Sequence, residues 1–277
     1  MSGRVGAFVR GLAHDRSVRV LAVVADGPAD EVARRHELSP DAARLAAEAL
    51  VASVLLASTI KGDERILVQA QGTSPRFAFT AEVDAEGGVR ARLSPATLPP
   101  VTRLEGHLAV IKWDAKRELY RGMAAIDNGS FEGALQHYLT QSQQAQGRVR
   151  LGARVDAEGR VVMASGLLVE RLPGDLEPDD FDSLVQPLIG APLSEIMAHF
   201  AFGQLLGSPV EVLERRPLEH TCSCSLERVE RTLLSLGAAE ILSLAEEQGQ
   251  AEVTCNFCSE RYVVDRARLE ALAQEAG

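Results

Sequence analysis

Four cysteines occur in this chain of 277 residues, and all four fall in its last fifth: Cys222, Cys224, Cys255 and Cys258. The pattern is a C-x-C pair, thirty residues, then a C-x-x-C pair. Two close pairs separated by a compact insert are the usual way to build a tetrahedral four-thiolate zinc site, so one Zn2+ per chain is expected on these four sulfurs. Four thiolates close the coordination sphere and leave no open position for a catalytic water. Three other readings stay open. The zinc can be purely structural. Cys255-Asn-Phe-Cys258 alone can be a thioredoxin-like redox motif, which needs a βαβ setting that the flanking sequence does not supply. Permanent disulfide staples conflict with a reducing interior. The C-x-C pair adds a further possibility, because two thiols one residue apart can share a metal or close into a strained, readily reduced disulfide. A segment this short has too little core to stay folded without metal, so oxidation would eject the ion and unfold it together.

The rest of the chain reads as α+β: a large α/β domain over residues 1–172, a helical linker over 173–219 and a small zinc-binding domain over 220–277. Hydrophobic residues make up 46% and charged residues 25%, which are globular values. Short β-branched segments predict strands over 5–10, 18–24, 65–71, 76–83, 89–93, 107–113, 119–126, 148–155 and 160–171. Ser39-Pro40-Asp41 predicts the start of a helix running to about Ile60, with Ser39 as its cap. The apolar run from Ala42 to Ile60 contains Arg44 and Glu48 and reads as a buried helix, not a membrane span. A second helix is expected over 130–141. No secretory signal is visible, which fits a cytoplasmic protein with no membrane partner.

Between Leu172 and Pro217 the chain is rich in proline and acids but carries two apolar helical faces. Phe181, Leu184, Val185, Leu188 and Ile189 form one; Leu193, Ile196, Met197, Phe200 and Leu205 form the other. Helices this short need a surface to lie on. They are read as a linker folded only while docked, with a permanently packed helical subdomain as the alternative. Residues 173–219 hold nine acids against two arginines and residues 220–277 ten against five, contributions of −7 and −5 to the net −10, which leaves about +2 for the first 172. A nucleic-acid partner needs a basic footprint, and the cysteine-bearing end has the wrong sign. In that end, Ser225 is expected to cap a first helix, Gly237 to separate it from a second, and Asp265 to open a last one.

These residues resemble the heat shock protein 33 family of bacterial redox-regulated chaperones over essentially the whole chain. The likeness lies in Cys222-Ser223-Cys224-Ser225 with Glu227-Arg228-Val229, in Leu236-Gly237, and in Cys255-Asn256-Phe257-Cys258 with Tyr262. Upstream it lies in Gln69-Ala70-Gln71-Gly72, in the stretch from His137 to Gln144, and in that from Gly166 to Gly174. Departures fall at Arg90-Ala91, Gln143, Ser165 and Glu170, where the family usually has Arg-Gly, Glu, Gly and Gln. The resemblance implies a reduced, inactive state with zinc on Cys222, Cys224, Cys255 and Cys258. It implies oxidation to Cys222–Cys224 and Cys255–Cys258 disulfides with loss of zinc and unfolding of the end domain and linker. It further implies a homodimer when oxidised that holds unfolding client proteins without ATP, and no enzyme activity. A structural zinc-ribbon adaptor and a thiol–disulfide oxidoreductase are the alternative functions.

Overall fold

The computed structural model describes residues 5–142, 146–194 and 202–276. The chain divides into two compact units, Met1–Thr221 and Cys222–Gly277.

The first unit is built on a ten-stranded sheet. Its spatial order is β7 (Glu118–Gly129), β6 (Leu104–Trp113), β3 (Arg65–Ser74), β4 (Arg76–Asp84), β5 (Gly88–Ser94), β10 (Glu211–His220), β1 (Gly6–Ala13), β2 (Val18–Val24), β9 (Val161–Arg171) and β8 (Gly147–Val155). Neighbours pair antiparallel, except that β10 meets β5 in parallel through Glu219↔Gly88 and His220↔Val89. Because side chains alternate across a strand, β1, β2 and β9 feed two separate cores. Phe8, Leu21, Val23 and Leu168 point into a large cluster with α1 (Asp26–Arg35), α2 (Pro40–Leu56) and α3 (Phe131–Ser142). Val9, Val20, Ala22, Leu167 and Val169 point the other way, onto α4 (Pro178–Gly190) and α5 (Phe202–Leu205). The unbroken apolar runs of β2 and β9 follow from this, since both of their faces are covered.

Helix α2 is buried along nearly its whole length. It is long and apolar enough to cross a membrane, and 83% of its apolar window lies inside the protein. Ser39 stands at its N-cap position without a side-chain cap bond; its hydroxyl accepts from the Leu98 amide at 3.2 Å instead, tying the helix start to the loop after β5.

Two elements escape the sequence pattern. Helix α1 was not expected: its buried residues are the small or rigid Pro28, Ala29, Val32 and Ala33, too weak an apolar stripe to announce a helix. Strand β10 occupies the end of the segment expected to be a helical linker, masked by its charges and by Pro217. Arg216 makes the strand workable. Its guanidinium lies 4.4 Å from the Phe8 ring centre and donates to the Ala85 carbonyl at 2.7 Å. The linker's first apolar face is as expected, with Phe181, Val185 and Leu188 buried in the second core and Leu184 and Ile189 packed at its margin. Of the second face, Ile196, Met197 and Phe200 lie outside the described residues, as do Gln143 and Gln144; Leu193 and Leu205 pack with the second core. A polar tie to α4 comes from Arg148–Asp182 at 2.7 Å, and Arg171 holds the turn before the helix by donating to the Leu176 carbonyl at 2.8 Å.

The departure at Glu170 has a local explanation. Its carboxylate is 3% exposed and accepts from Arg19 Nε at 2.7 Å, with Nη2 at 2.6 Å. The two residues are direct cross-strand partners on β2 and β9. Removing one member of such a pair leaves the other partly buried and unpaired. Glu170→Ala is therefore expected to cost about 2 kcal/mol, discounted for the partial exposure of Arg19, while Glu170→Gln keeps an acceptor and costs less. Urea unfolding of the two variants against the parent checks the order.

Candidate metal centre

The second unit has a small core of its own, formed by α6 (Leu226–Leu234), α7 (Ala238–Glu247), the hairpin β11 (Gln250–Thr254) and β12 (Arg261–Asp265), and α8 (Arg266–Glu275). Its buried members include Val229, Leu233, Ile241, Val264, Leu269 and Leu272. Ser225 caps α6 by accepting from the Arg228 amide at 3.3 Å, and Asp265 caps α8 by accepting from the Arg268 amide at 2.9 Å. Both caps were legible in the sequence. An Arg268–Glu230 pair was not. The Arg268 Nε and Nη2 groups reach the two Glu230 oxygens at 2.8 and 2.9 Å, clamping α8 to α6 through one fork of the guanidinium.

Each cysteine pair sits where the backbone is already fixed. Cys222 and Cys224 lie just before the capped start of α6. Cys255 and Cys258 lie on the tight turn between β11 and β12, where the Cys255 amide donates to the Glu260 carbonyl at 2.8 Å and the Ser259 amide to the Cys255 carbonyl at 2.9 Å. Ser259 takes the left-handed φ of 58° that closes this turn.

All four sulfurs lie within 4.8 Å of one another. Cys222 and Cys255 are 3.7 Å apart, Cys224 and Cys258 3.3 Å. Zinc–thiolate bonds of about 2.3 Å in a tetrahedron give a sulfur–sulfur edge of about 3.8 Å, so the donor set fits that ion in type, number and spacing. The sequence placed all four ligand candidates, and the fold brings all four together. His220 ends β10 two residues before Cys222; burial, and then Arg35, hold its imidazole below the usual range. Tyr262 enters the site in a way spacing does not reveal: its hydroxyl donates to Cys224 Sγ at 3.1 Å.

The family model described as "Hsp33 protein" matches residues 7–265. The chain belongs to the Hsp33 family. Among relatives, the 33 kDa chaperonin of Geobacter sulfurreducens is 33% identical, with 96% of this chain and 94% of that protein covered. That of Bacillus subtilis is 30% identical over 97% and 98%. The crystal structure of the Thermotoga maritima 33 kDa chaperonin, an Hsp33 homologue, shares the fold with a TM-score of 0.87 at 22% identity, covering 97% of this chain and 98% of that one. Among Hsp33 features, the cysteine cluster is the one with evident chemistry.

Burial pushes the Cys258 thiol far above its ordinary value and moves Cys224 in the same direction, with the Tyr262 bond pulling Cys224 partly back. In the metal-free protein the Cys258 and Cys224 thiols therefore hold their protons more tightly than unfolded thiols, whose pKa is about 8.5. A raised folded pKa gives stability that is complete below that value and is lost as pH rises above it. Metal reverses the sign, because ligands must lose their protons to bind and protons then compete as pH falls. Circular-dichroism melting of the zinc-loaded full chain is expected to show the second unit weakening towards acid pH.

Proposed function

We propose that this Hsp33-family chain is a redox-regulated, ATP-independent holdase, cytoplasmic, that keeps unfolding proteins from aggregating when its four-cysteine centre is oxidised. Membership of a chaperone family supports the first half of that reading. The observation that carries the second half is a set of four thiols within 4.8 Å of one another in a unit whose own core is small.

Zinc bound by Cys222, Cys224, Cys255 and Cys258 would supply a crosslink between the start of α6 and the β11–β12 turn. Oxidation to Cys222–Cys224 and Cys255–Cys258 disulfides removes the thiolate donors. Proximity in the folded site does not select this pairing, since sulfurs of different pairs also touch. Support comes from the chain: partners two and three residues apart in sequence stay within reach after the unit opens, whereas crossed pairs depend on the fold itself. The C-x-C pair begins two residues after β10, and β10 directly follows the α4–α5 segment. Loss of order at Cys222 therefore frees the end of β10, the strand whose pairing with β1 and β5 anchors the segment that covers the outer face of β1, β2 and β9. The uncovered surface, Val9, Val20, Ala22, Leu167 and Val169, is a continuous apolar patch suited to unfolded chains and to a second oxidised copy.

Peroxide with mild heat is expected to release about one zinc per chain and to switch on suppression of client aggregation, reversed by reductant plus zinc. A Cys255→Ser/Cys258→Ser variant that responds to peroxide like the parent would overturn the assignment. Turnover in an insulin-reduction assay would favour a thiol–disulfide enzyme instead.

A further inference from the structure

The turn between β1 and β2 has an uncommon backbone. His14, Asp15 and Arg16 take left-handed φ angles of 49°, 47° and 69°, and none is a glycine. The Ser17 amide donates to the His14 carbonyl at 2.8 Å, which closes a turn over residues 14–17. A hairpin turn of type I′ needs positive φ only at its two central residues, here Asp15 and Arg16. His14 is a third, and a side chain in this region costs free energy that the surroundings must offset.

The contacts His14 makes there reach the segment that covers the outer face of the sheet. Its amide donates to Ser208 Oγ at 3.2 Å, and its ring Nε2 donates to the Leu206 carbonyl at 3.1 Å. Leu206 and Ser208 lie just past α5, whose end is closed by the Ser208 amide donating to the Gly203 carbonyl at 3.1 Å. Arg16 approaches Glu211 at 3.9 Å, but both side chains are largely exposed and the pair adds little. On the far side of the turn, the Ser17 carbonyl accepts from the Leu172 amide at 2.8 Å, where the chain leaves β9 for α4. One short turn therefore holds the chain on entry to the α4–α5 cover and again on exit from it.

We propose that this turn is a buckle for the cover, and that His14 is the positioning residue that sets how readily the cover lifts off β1, β2 and β9. The inference rests on the reading that clients bind the face beneath α4 and α5, and it names a restraint on that face separate from the metal centre. The restraint is local, since it joins residues 14–17 to Leu172, Leu206 and Ser208, all within Met1–Thr221. It therefore acts on the cover directly and leaves the four sulfurs untouched. Once the cover has lifted, His14 no longer has to hold its left-handed φ, so the strain released there favours the open state. A cover closed by two hydrogen bonds against that strain is held by a small margin, which suits a surface that must open on demand.

Hydrogen exchange on the reduced, zinc-loaded full chain tests the buckle. His14→Ala and Ser208→Ala each remove one of the two bonds. In both, amide exchange in α4 and at positions 206 and 208 is expected to quicken about three- to tenfold. Exchange around α2 and zinc release by peroxide are expected to match the parent. His14→Gly accepts the left-handed φ but has no ring, so its exchange is expected to fall between the parent and His14→Ala. At a fixed, sub-saturating dose of peroxide, His14→Ala and Ser208→Ala should suppress more client aggregation than the parent. Faster exchange confined to β1 and β2 would mean that His14 only shapes the hairpin, and a rise confined to positions 206 and 208 that the bonds hold only themselves. An equal rise around α2 would mean general destabilisation. Any of these three results, or parent-like exchange in both variants, overturns the proposal and leaves the redox switch standing. A parent chain that keeps its zinc under peroxide sinks the switch instead, and the exchange rates still decide whether the buckle exists.

Discussion

Cys258→Ser is expected to reduce bound zinc from about one per chain to near none and to unfold Cys222–Gly277, with α4 losing protection as well, while the inner core of the first unit around α2 stays folded. Cys258 is the most buried of the four, 4% exposed, and touches Cys224. A serine hydroxyl does not ionise at neutral pH and is a poor zinc donor, so three thiolates remain where four closed the shell. Structural zinc contributes on the order of 10 kcal/mol to a unit of this kind, more than the total stability of most small domains. The apolar core led by Ile241 and Leu269, the two helix caps and the Arg268–Glu230 clamp remain, but caps contribute about 1 kcal/mol each and an exposed ion pair less. Zinc analysis and hydrogen exchange on the purified variant check both halves of the expectation. Persistent protection of residues 226–275 in a zinc-free variant would show that the core suffices alone.

Phe181→Asp is expected to give a chain that suppresses client aggregation without oxidant. Phe181 is fully buried in α4, against the outer face of β1, β2 and β9. Truncating a buried phenylalanine costs about 3–5 kcal/mol, and burying an unpaired carboxylate adds to that. Helix α4 has little in reserve, since Pro187 interrupts it and it buries only Phe181, Val185 and Leu188. Undocking exposes the apolar patch while the large inner core, centred on α2, is untouched. The expected signature is increased binding of a hydrophobic dye and holdase activity in the reduced, zinc-loaded state. A variant that stays inactive while its α4 is shown to be undocked by hydrogen exchange would separate client binding from this face.

The four-cysteine cluster was legible because its chemistry is written in spacing. Two close cysteine pairs leave few arrangements for four sulfurs, and the Ser225 cap fixes the helix start beside the first pair. The α+β class was legible for a similar reason, as β-branched runs and turn residues alternate along most of the first unit. What escaped is what long-range packing decides. Helix α1 hides because alanines suffice at its tight contact with the sheet. Strand β10 hides because its charges are satisfied by distant partners, Arg216 by Phe8 and the Ala85 carbonyl, Glu214 by Arg10 at 2.8 Å. Tyr262 was visible as a residue but not as a donor, since only the folded unit brings its hydroxyl to Cys224. Glu170 looked like a departure from the family and is a paired group whose partner stands on the adjacent strand.

The most direct test follows zinc release and hydrogen exchange in the same samples while the reduced chain is titrated with peroxide. Loss of zinc should coincide with loss of protection in residues 222–276, and protection of α4 should fall with it. Zinc that departs while both segments remain protected would contradict the idea that shared thiolates hold the switch closed.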